Sequence, residues 1–468
     1  MLPTALVALS AGNLELAESF LLMSGLIGFL SGGIYFALRG QEREMVNHQT
    51  FLLCVIAWFG LSVAGAFPFV LSDQLSWGDG FFEAASGLST TGASVFLSLA
   101  ETPKAIIFWR AILQWYGGLL TLVSFLMVLA PAGVGGMREV HSRLMEQSLG
   151  DDIWRSFSII RQIAAAYSLV TLVLAWLLIL TGLPPFDSMC LAFSTISTGG
   201  FLPVDGTLGV YDNSLADLVV AFGMLMGASS LLWHRMVVRG KWQFLVEHRE
   251  SYIFIFLVLA TGLLYSITLF QLAGNASVLP ATSALRQGFF TAVSLISTTG
   301  FELRYADVTV LPGLLVFSLA FIGATHFSTA GGIKIYRFGV LVIQVADEVA
   351  RLVYPNRIRA GRLGRPRPSM QLLNGIWSSL ILTIILIAVV AGIVTFDIGQ
   401  LDGGIIAAVS SFSNIGPLYN TGWGPAGEWP SYFEMSMVTK MSLAITMIIG
   451  RIEVIVLLGA LNFRFWNR

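Results

Sequence analysis

Glycine beside small hydroxylated residues recurs four times along this chain: STTGASVF from Ser89, STISTGGF from Ser194, SLISTTGF from Ser294 and SSFSNIGP from Ser410. The clusters stand at intervals of about one hundred residues. The chemistry open to them is coordination of a dehydrated cation, which needs oxygen ligands in place of its water shell, and rings of backbone carbonyls can supply them. Turning successive carbonyls toward one axis requires backbone angles that a side chain obstructs, so glycine belongs at the tight point. The candidate filter residues are Thr90, Thr91 and Gly92; Ser197, Thr198 and Gly199; Thr298, Thr299 and Gly300; and Asn414, Ile415 and Gly416. No carboxylate stands in the first, second or fourth loop, and Glu302 follows the third, so a carbonyl filter fits better than an acidic ring. The alternative is that Gly, Ser and Thr are merely enriched where membrane helices pack closely; four matched occurrences argue against it.

The elements that must position these loops are apolar. Of 468 residues 56% are hydrophobic and 11% charged, against about 25% charged in an ordinary soluble domain. Mean hydropathy is +0.79. Runs long enough to cross about 30 Å of hydrocarbon, needing roughly 20 residues each, lie near 16–38, 50–71, 104–131, 162–182, 215–238, 251–272, 310–343, 372–396 and 432–462. Residues 1–14 carry no Lys or Arg and no cleavage site follows the first run, so that run is expected to remain as a helix. Net charge is −1 and says nothing of partners. Basic residues cluster at Arg39 and Arg43, Arg138 to Arg161, Arg235 to Arg249, Lys334 to Arg367, and Arg464 and Arg468, which makes these segments cytoplasmic and sets all four loops on the opposite face. Cys54 and Cys190 have no CxxC spacing and read as small buried hydrophobes.

Each loop follows a long apolar run and a short segment of about ten residues. Ten residues of helix rise only about 15 Å, so these segments must enter the bilayer and return. Non-helical backbone at membrane depth is tolerated only where buried in protein or lining a water-filled cavity. The expected fold is therefore all-α and integral to the membrane: four pseudo-symmetric helix, pore-loop, helix repeats around a central ion pore, with at least one extra N-terminal transmembrane helix. The divisions are 1–49 for the N-terminal helix and its cytoplasmic loop, then repeats at 50–132, 133–240, 241–345 and 346–468.

Other polar residues lie at membrane depth. The seventh run is interrupted by Gly323, Ala324, Thr325, His326, Phe327, Ser328, Thr329, Ala330, Gly331 and Gly332, a poor helix interior. A break facing the cavity beneath the third loop is expected there, either as a gate or as a packing kink. His326 reads as a packing histidine, the alternative being a hydrogen-bonding or pH-sensitive element. Arg451, inside the last run, is a functional candidate by default: a positive charge below the filter would brake cation flow, the alternatives being snorkelling or pairing with Glu453. Glu83 and Asp187 are expected at helix N-termini, and Arg110 and Lys440 to neutralise carboxylates near the outer side. The five histidines show no metal spacing, there is no HExxH, and GVGGM at 133–137 does not sit in a βαβ unit, so neither an enzyme nor a nucleotide site is expected in this chain.

Taken in order, FFEAASGLSTTGAS, WRAILQWYGG, PAGVGGM, FSTISTGGF, SLISTTGF, STAGGIKIYR, RLVYPN, SNIGP and IIGRIEV resemble the bacterial TrkH-type subunits of the Trk/Ktr/HKT potassium transporters, from about Arg43 onward. The resemblance implies K⁺ as the transported ion with no organic cofactor, a homodimer with one pore per subunit, a gating loop at Gly323 to Gly332, a pore-facing arginine at Arg451, and a cytosolic TrkA-like ring of nucleotide-binding regulatory subunits in a multi-pass bacterial inner-membrane protein surrounded by lipid, with no nucleic acid. Glycine in all four loops is the potassium-preferring pattern, while serine in the first accompanies sodium transport in some relatives. QWYGGLLTL and GATHFSTAGG depart from the family's more glycine-rich forms. One clear helix plus a fragment at residues 1–10 precedes the first repeat, where the family usually has two helices; nine spans put the N-terminus outside, and an earlier start codon would restore ten. A coupled Na⁺ or H⁺ transporter is the competing expectation, but the inverted repeats and midplane acids of such proteins are missing from the pattern.

Overall fold

The computed structural model describes residues 1–40, 47–129, 153–230, 233–234, 249–274, 280–303, 310–354, 370–419 and 429–461. Most of the basic clusters and the GVGGM segment lie outside the described residues. Among those described, every element is a helix, and six helices are long and apolar enough to span a bilayer, or seven if one bent pair is counted as a single span. It is a multi-pass membrane protein. Leu22, Phe29, Ile34, Ile384 and Phe396 project from the spans with their side chains uncovered, as hydrocarbon surroundings permit and water would not.

Two N-terminal helices, α1 (Leu2–Ser10) and α2 (Leu14–Leu38), come first. Asn13 separates them, its side chain accepting from the Leu16 N–H at 3.0 Å as an N-cap. Phe20 of α2 seats against Trp109, and Ala5, Ala8 and Ala17 close the same cluster.

Four units of one kind follow. In each, a long helix packs against a short one: α3 (Asn47–Leu71) on α4 (Trp77–Leu88), α6 (Ile153–Leu180) on α7 (Pro185–Ile196), α9 (Arg249–Gly274) on α10 (Ala281–Ile296), and α13 (Met370–Ile398) on α14 (Leu401–Ser413). The short helices hold 12, 12, 16 and 13 residues; at about 1.5 Å per residue none crosses roughly 30 Å of hydrocarbon. Outgoing helices are α5 (Lys104–Ser124), α8 (Ser214–Ala228), the broken pair α11 (Gly313–Ile322) and α12 (Ile335–Val353), and the broken pair α15 (Met437–Ile452) and α16 (Val454–Ala460). Each outgoing helix also touches the short helix of the next unit: α5 meets α7, α8 meets α10, α11 meets α14, and α15 returns to α4. The order closes on itself.

The run at 310–343 breaks at the glycine-rich segment as expected, but two other apolar runs differ from the sequence expectation. The run at 215–238 gives the 15-residue α8 within the described residues. The last run is not continuous either: α15 and α16 meet at a 95° bend on Glu453, whose φ is 70°. Nothing local in RIEVIVLLGAL marks that break. Arg337, from α12, holds the Glu453 carboxylate at 2.5 Å, so a distant partner offsets the helix bonds lost there. Arg451 is thus near the end of its helix and does not pair with Glu453.

Candidate ion site at four converging loops

The C-terminal ends of α4, α7, α10 and α14 point at one another and unwind in the same way. Thr90, Thr198, Thr298 and Asn414 all take left-handed backbone, at φ of 53°, 52°, 59° and 54°. Asn tolerates that region, but it is strained for β-branched threonine. Three threonines held there by their surroundings are the signature of a functional constraint. The N–H of the next residue closes each helix: Thr91 onto the Ser86 carbonyl, Gly199 onto Ser194, Thr299 onto Ser294 and Ile415 onto Ser410, at 2.8 to 3.0 Å. Gly92, Gly200 and Gly300 then share φ 83°.

One loop is displaced by a residue from the sequence alignment. Thr90, Thr91, Gly92, Thr298, Thr299, Gly300, Asn414, Ile415 and Gly416 stand at corresponding places, but in the second loop Thr198 corresponds to Thr90 and Gly200, not Gly199, to Gly92. Ser197 corresponds to Ser89. The fourth loop is also distinct: Gly416 opens a short 3-10 turn, Gly416–Leu418, and its carbonyl accepts from the Tyr432 hydroxyl at 3.0 Å.

The loops touch in chain order. A Cβ on Gly92 would stand 2.3 Å from the Gly199 carbonyl oxygen, and one on Gly200 the same distance from that of Thr299. Gly300 faces the Pro417 ring. Gly416 donates its N–H to the Thr91 carbonyl at 2.6 Å, and Asn414 Nδ2 donates to Thr91 Oγ1 at 3.0 Å. The four quarters form a closed ring in which glycine is required by close backbone approach.

A cavity of about 370 Å³ opens on one side of the ring, lined by Gly92, Gly200, Gly300 and Gly416 and reaching Asp205 and Glu302. Its wall is braced by Glu83, which accepts from Arg110 Nε at 2.7 Å, from the Val95 N–H at 2.9 Å and from Ser94 Oγ at 3.1 Å. Glu83 lies inside α4 rather than at its start, where Asp79 stands in the first turn and pairs with Lys440 at 2.6 Å. Asp187 does occupy the first turn of α7. Arg110 stacks on Phe201, 4.1 Å from the ring centroid, tying loop one to loop two. Removing one member of so buried a pair strands the other, at a cost of about 3–5 kcal/mol. Glu83→Ala is therefore expected to lower the melting temperature in detergent markedly, whereas Lys104→Ala, on an exposed cation, leaves it unchanged; equal melting of the two variants would refute the bracing role.

On the opposite side the segment Gly323 to Gly332 lies directly against the ring. Thr329 Oγ1 donates to the Gly227 carbonyl at 3.0 Å and lies 3.3 Å from Thr198 Oγ1. The Gly331 N–H donates to Thr298 Oγ1 at 2.7 Å, and a Cβ on Gly331 would meet the Ser413 carbonyl at 1.9 Å. Thr325 Oγ1 donates to the Ala228 carbonyl at 2.8 Å. His326 is met by the Glu250 carboxylate, which accepts the His326 N–H at 2.8 Å and lies 3.3 Å from Nδ1. Ala324, Phe327, Ser328, Ala330 and Thr325 are buried with it.

Arg451, 2% exposed, joins the segment to the ring. Its guanidinium donates to the Ser89 carbonyl, the Thr90 hydroxyl and the Thr329 carbonyl, and lies 3.4 Å from the Thr90 carbonyl. Lys334, also buried, donates to the Ala330 carbonyl and lies 5.4 Å above the Phe125 ring. A cavity thus opens on one side of the ring, and on the other a buried cation is hydrogen-bonded to the ring itself.

Sequence reasoning missed Gly200, Gln114, Glu250, Lys334 and the bracing by Tyr432. Of these only Gly200 and Gln114 left a signal, the doubled glycine of STGG and a glutamine within an otherwise apolar helix.

Residues 22–460 match the TrkH family, described as a cation transport protein. The chain is 30% identical over 486 residues to the Trk system potassium uptake protein TrkH of Vibrio parahaemolyticus, covering all of this chain and 96% of that one. It is 31% identical over 441 residues to the protein of the same name from Salmonella typhimurium, covering 92% and 88%. A crystal structure of the potassium transporter TrkH from Vibrio parahaemolyticus superposes with a TM-score of 0.85 at 27% identity, covering 99% of this chain and 95% of that one.

Proposed function

The chain belongs to the TrkH family of cation transport proteins, and on that ground we propose that it carries K⁺ across the bacterial inner membrane through the four-loop ring, passively and channel-like. The observation that carries the reading is the closed ring itself: four helix ends unwinding alike, in mutual backbone contact, with a vestibule on one side. K⁺ entering from the vestibule exchanges water for loop carbonyls and the hydroxyls that brace them. The membrane potential drives it inward at about 2.3 kcal/mol per charge per 100 mV. Arg451 and the segment Gly323 to Gly332 close the inner side and act as brake and gate. The four repeats at 50–132, 133–240, 241–345 and 346–468 each supply one quarter of the filter. Regulation comes from outside this chain, through a cytosolic nucleotide-binding ring of the TrkA type acting on a homodimer.

The test is uptake of K⁺ and Rb⁺ with Na⁺ competition in a potassium-uptake-deficient bacterial strain. The wild-type chain is expected to restore growth at low K⁺, and Gly92→Ser to lose discrimination against Na⁺, because a side chain there displaces the second loop's carbonyl. Uptake that follows a Na⁺ or H⁺ gradient and ignores Gly92 would replace the filter with a coupled transporter.

A further inference from the structure

In two of the four loops the residue after the left-handed threonine is another threonine, and its hydroxyl is fixed in the same way: Thr91 Oγ1 lies 2.7 Å from Ser89 Oγ, and Thr299 Oγ1 lies 2.7 Å from Ser297 Oγ. The second loop has Gly199 at that place. Gly199 does not need to be glycine for its backbone, since its φ is not positive. What excludes a side chain is Gln114 of α5: a Cβ on Gly199 would meet Gln114 Cδ at 2.4 Å, Oε1 at 2.5 Å and Nε2 at 2.7 Å. Ser197 Oγ donates to the Phe193 and Ser194 carbonyls, at 2.8 and 3.0 Å; Ser89 and Ser297 also reach the carbonyl three residues back, and the threonine contact is what the second loop lacks.

Gln114 is fully buried and uses both ends of its amide on this loop. Nε2 donates to the Gly199 carbonyl at 2.6 Å, and Oε1 accepts the Phe201 N–H at 3.3 Å. The two bonds bracket Gly200, the residue pressed against the Thr299 carbonyl of the third loop. The Gly199 carbonyl that Gln114 holds is also the one against which Gly92 of the first loop rests. One side chain from the first repeat thereby sets the height of the second loop between its two neighbours. A glutamine delivered from outside the loop fills the space that a side chain on Gly199 would need and bonds the loop backbone instead.

We infer that Gln114 is a specificity-determining positioning residue, the stand-in side chain that holds the Gly199 carbonyl and the Gly200 turn in the ring. It touches no ion; it acts through the loop. The inference rests on the filter reading above and deepens it.

The arrangement makes Gln114 and Gly199 exchangeable as a pair, which a merely structural role would not. The experiment compares K⁺, Rb⁺ and Na⁺ uptake by the full chain carrying Gln114→Ala, Gly199→Thr, or both, in the same strain, with detergent-extracted protein checked for monodispersity. Gln114→Ala frees the Gly199 carbonyl and is expected to lower K⁺ over Na⁺ discrimination at least tenfold. Gly199→Thr drives a side chain into Gln114 and is expected to do the same or worse. The double variant gives the introduced threonine both room and the Ser197 hydroxyl, and is expected to recover discrimination to within about threefold of wild type. Should Gln114→Ala fail to fold, Gln114→Met, which keeps the volume and removes donor and acceptor, is read in its place. A selective wild type together with an equally selective Gln114→Ala, or a double variant no better than the worse single, overturns the inference alone. A wild type with no preference for K⁺ overturns the filter reading and the inference with it.

Discussion

Gly200→Ala is expected to reduce Rb⁺ uptake at least tenfold in cells that hold normal amounts of the protein. Two costs coincide at this position. The backbone sits at φ 83°, where an L side chain costs about 1–2 kcal/mol, and the new methyl would stand 2.3 Å from the Thr299 carbonyl oxygen. Nothing there can yield cheaply, because the obstacle is backbone of the adjacent loop. Either the third loop's carbonyl or the second loop must shift, and both disrupt the contact between the two loops. Gly182→Ala separates the two costs. Gly182, in the turn between α6 and α7, has φ 97° and no atom within 4 Å of where the methyl would stand, so that variant carries the strain and meets nothing. Uptake near wild type for Gly182→Ala beside a tenfold loss for Gly200→Ala assigns the effect to the contact between loops. Similar losses in both would assign it to backbone strain, and an active Gly200→Ala would remove the second loop from the ring.

That the decisive glycine of the second loop is Gly200 shows where reading the sequence stops. The cluster STISTGGF presents two glycines, and the first follows Ser and Thr just as Gly92 follows Thr90 and Thr91. Choosing between them requires the φ of Thr198 and the position of Gln114, a residue 85 places before Gly199. The parts of the fold that were legible rest on local chemistry. Lengths of apolar runs mark the spans, short segments between them mark the re-entrant helices, and Gly323 with Gly331 and Gly332 marks a break because a helix interior disfavours them. Arg110 and Lys440 meet carboxylates, Glu83 and Asp79, since a buried charge demands a partner. The bend at Glu453 was not legible for the converse reason. Its sequence favours a continuous helix, and the ion pair that stabilises the break comes from Arg337 in a different repeat.

The same long-range convergence gives Arg451→Ala the second large expected effect, in the opposite direction: Rb⁺ influx several-fold above wild type, with weaker dependence on the cytosolic partner. The guanidinium engages the carbonyls of Ser89 and Thr90 at the base of the proposed filter and ties them to Thr329 of the adjoining segment. It also opposes the ion by charge. Two unit positive charges about 4 Å apart repel by about 4 kcal/mol at an effective dielectric of about 20, and each 1.4 kcal/mol or so is a tenfold change in occupancy. On the proposed filter reading, Arg451 and a cation at the base of the ring exclude each other, and conduction is expected to need the arginine to move with the segment it holds. Two conservative variants divide the effect. Arg451→Lys keeps the charge but offers an ammonium in place of the planar fork that spans several oxygens, so it is expected to brake partly. Arg451→Gln keeps an amide donor without charge and is expected to conduct nearly as well as Arg451→Ala if repulsion dominates. An Arg451→Ala chain that is stable, abundant and inactive would mean the opposite assignment, with the arginine supporting the first loop from below; its discrimination between K⁺ and Na⁺ would then fail in step with its uptake.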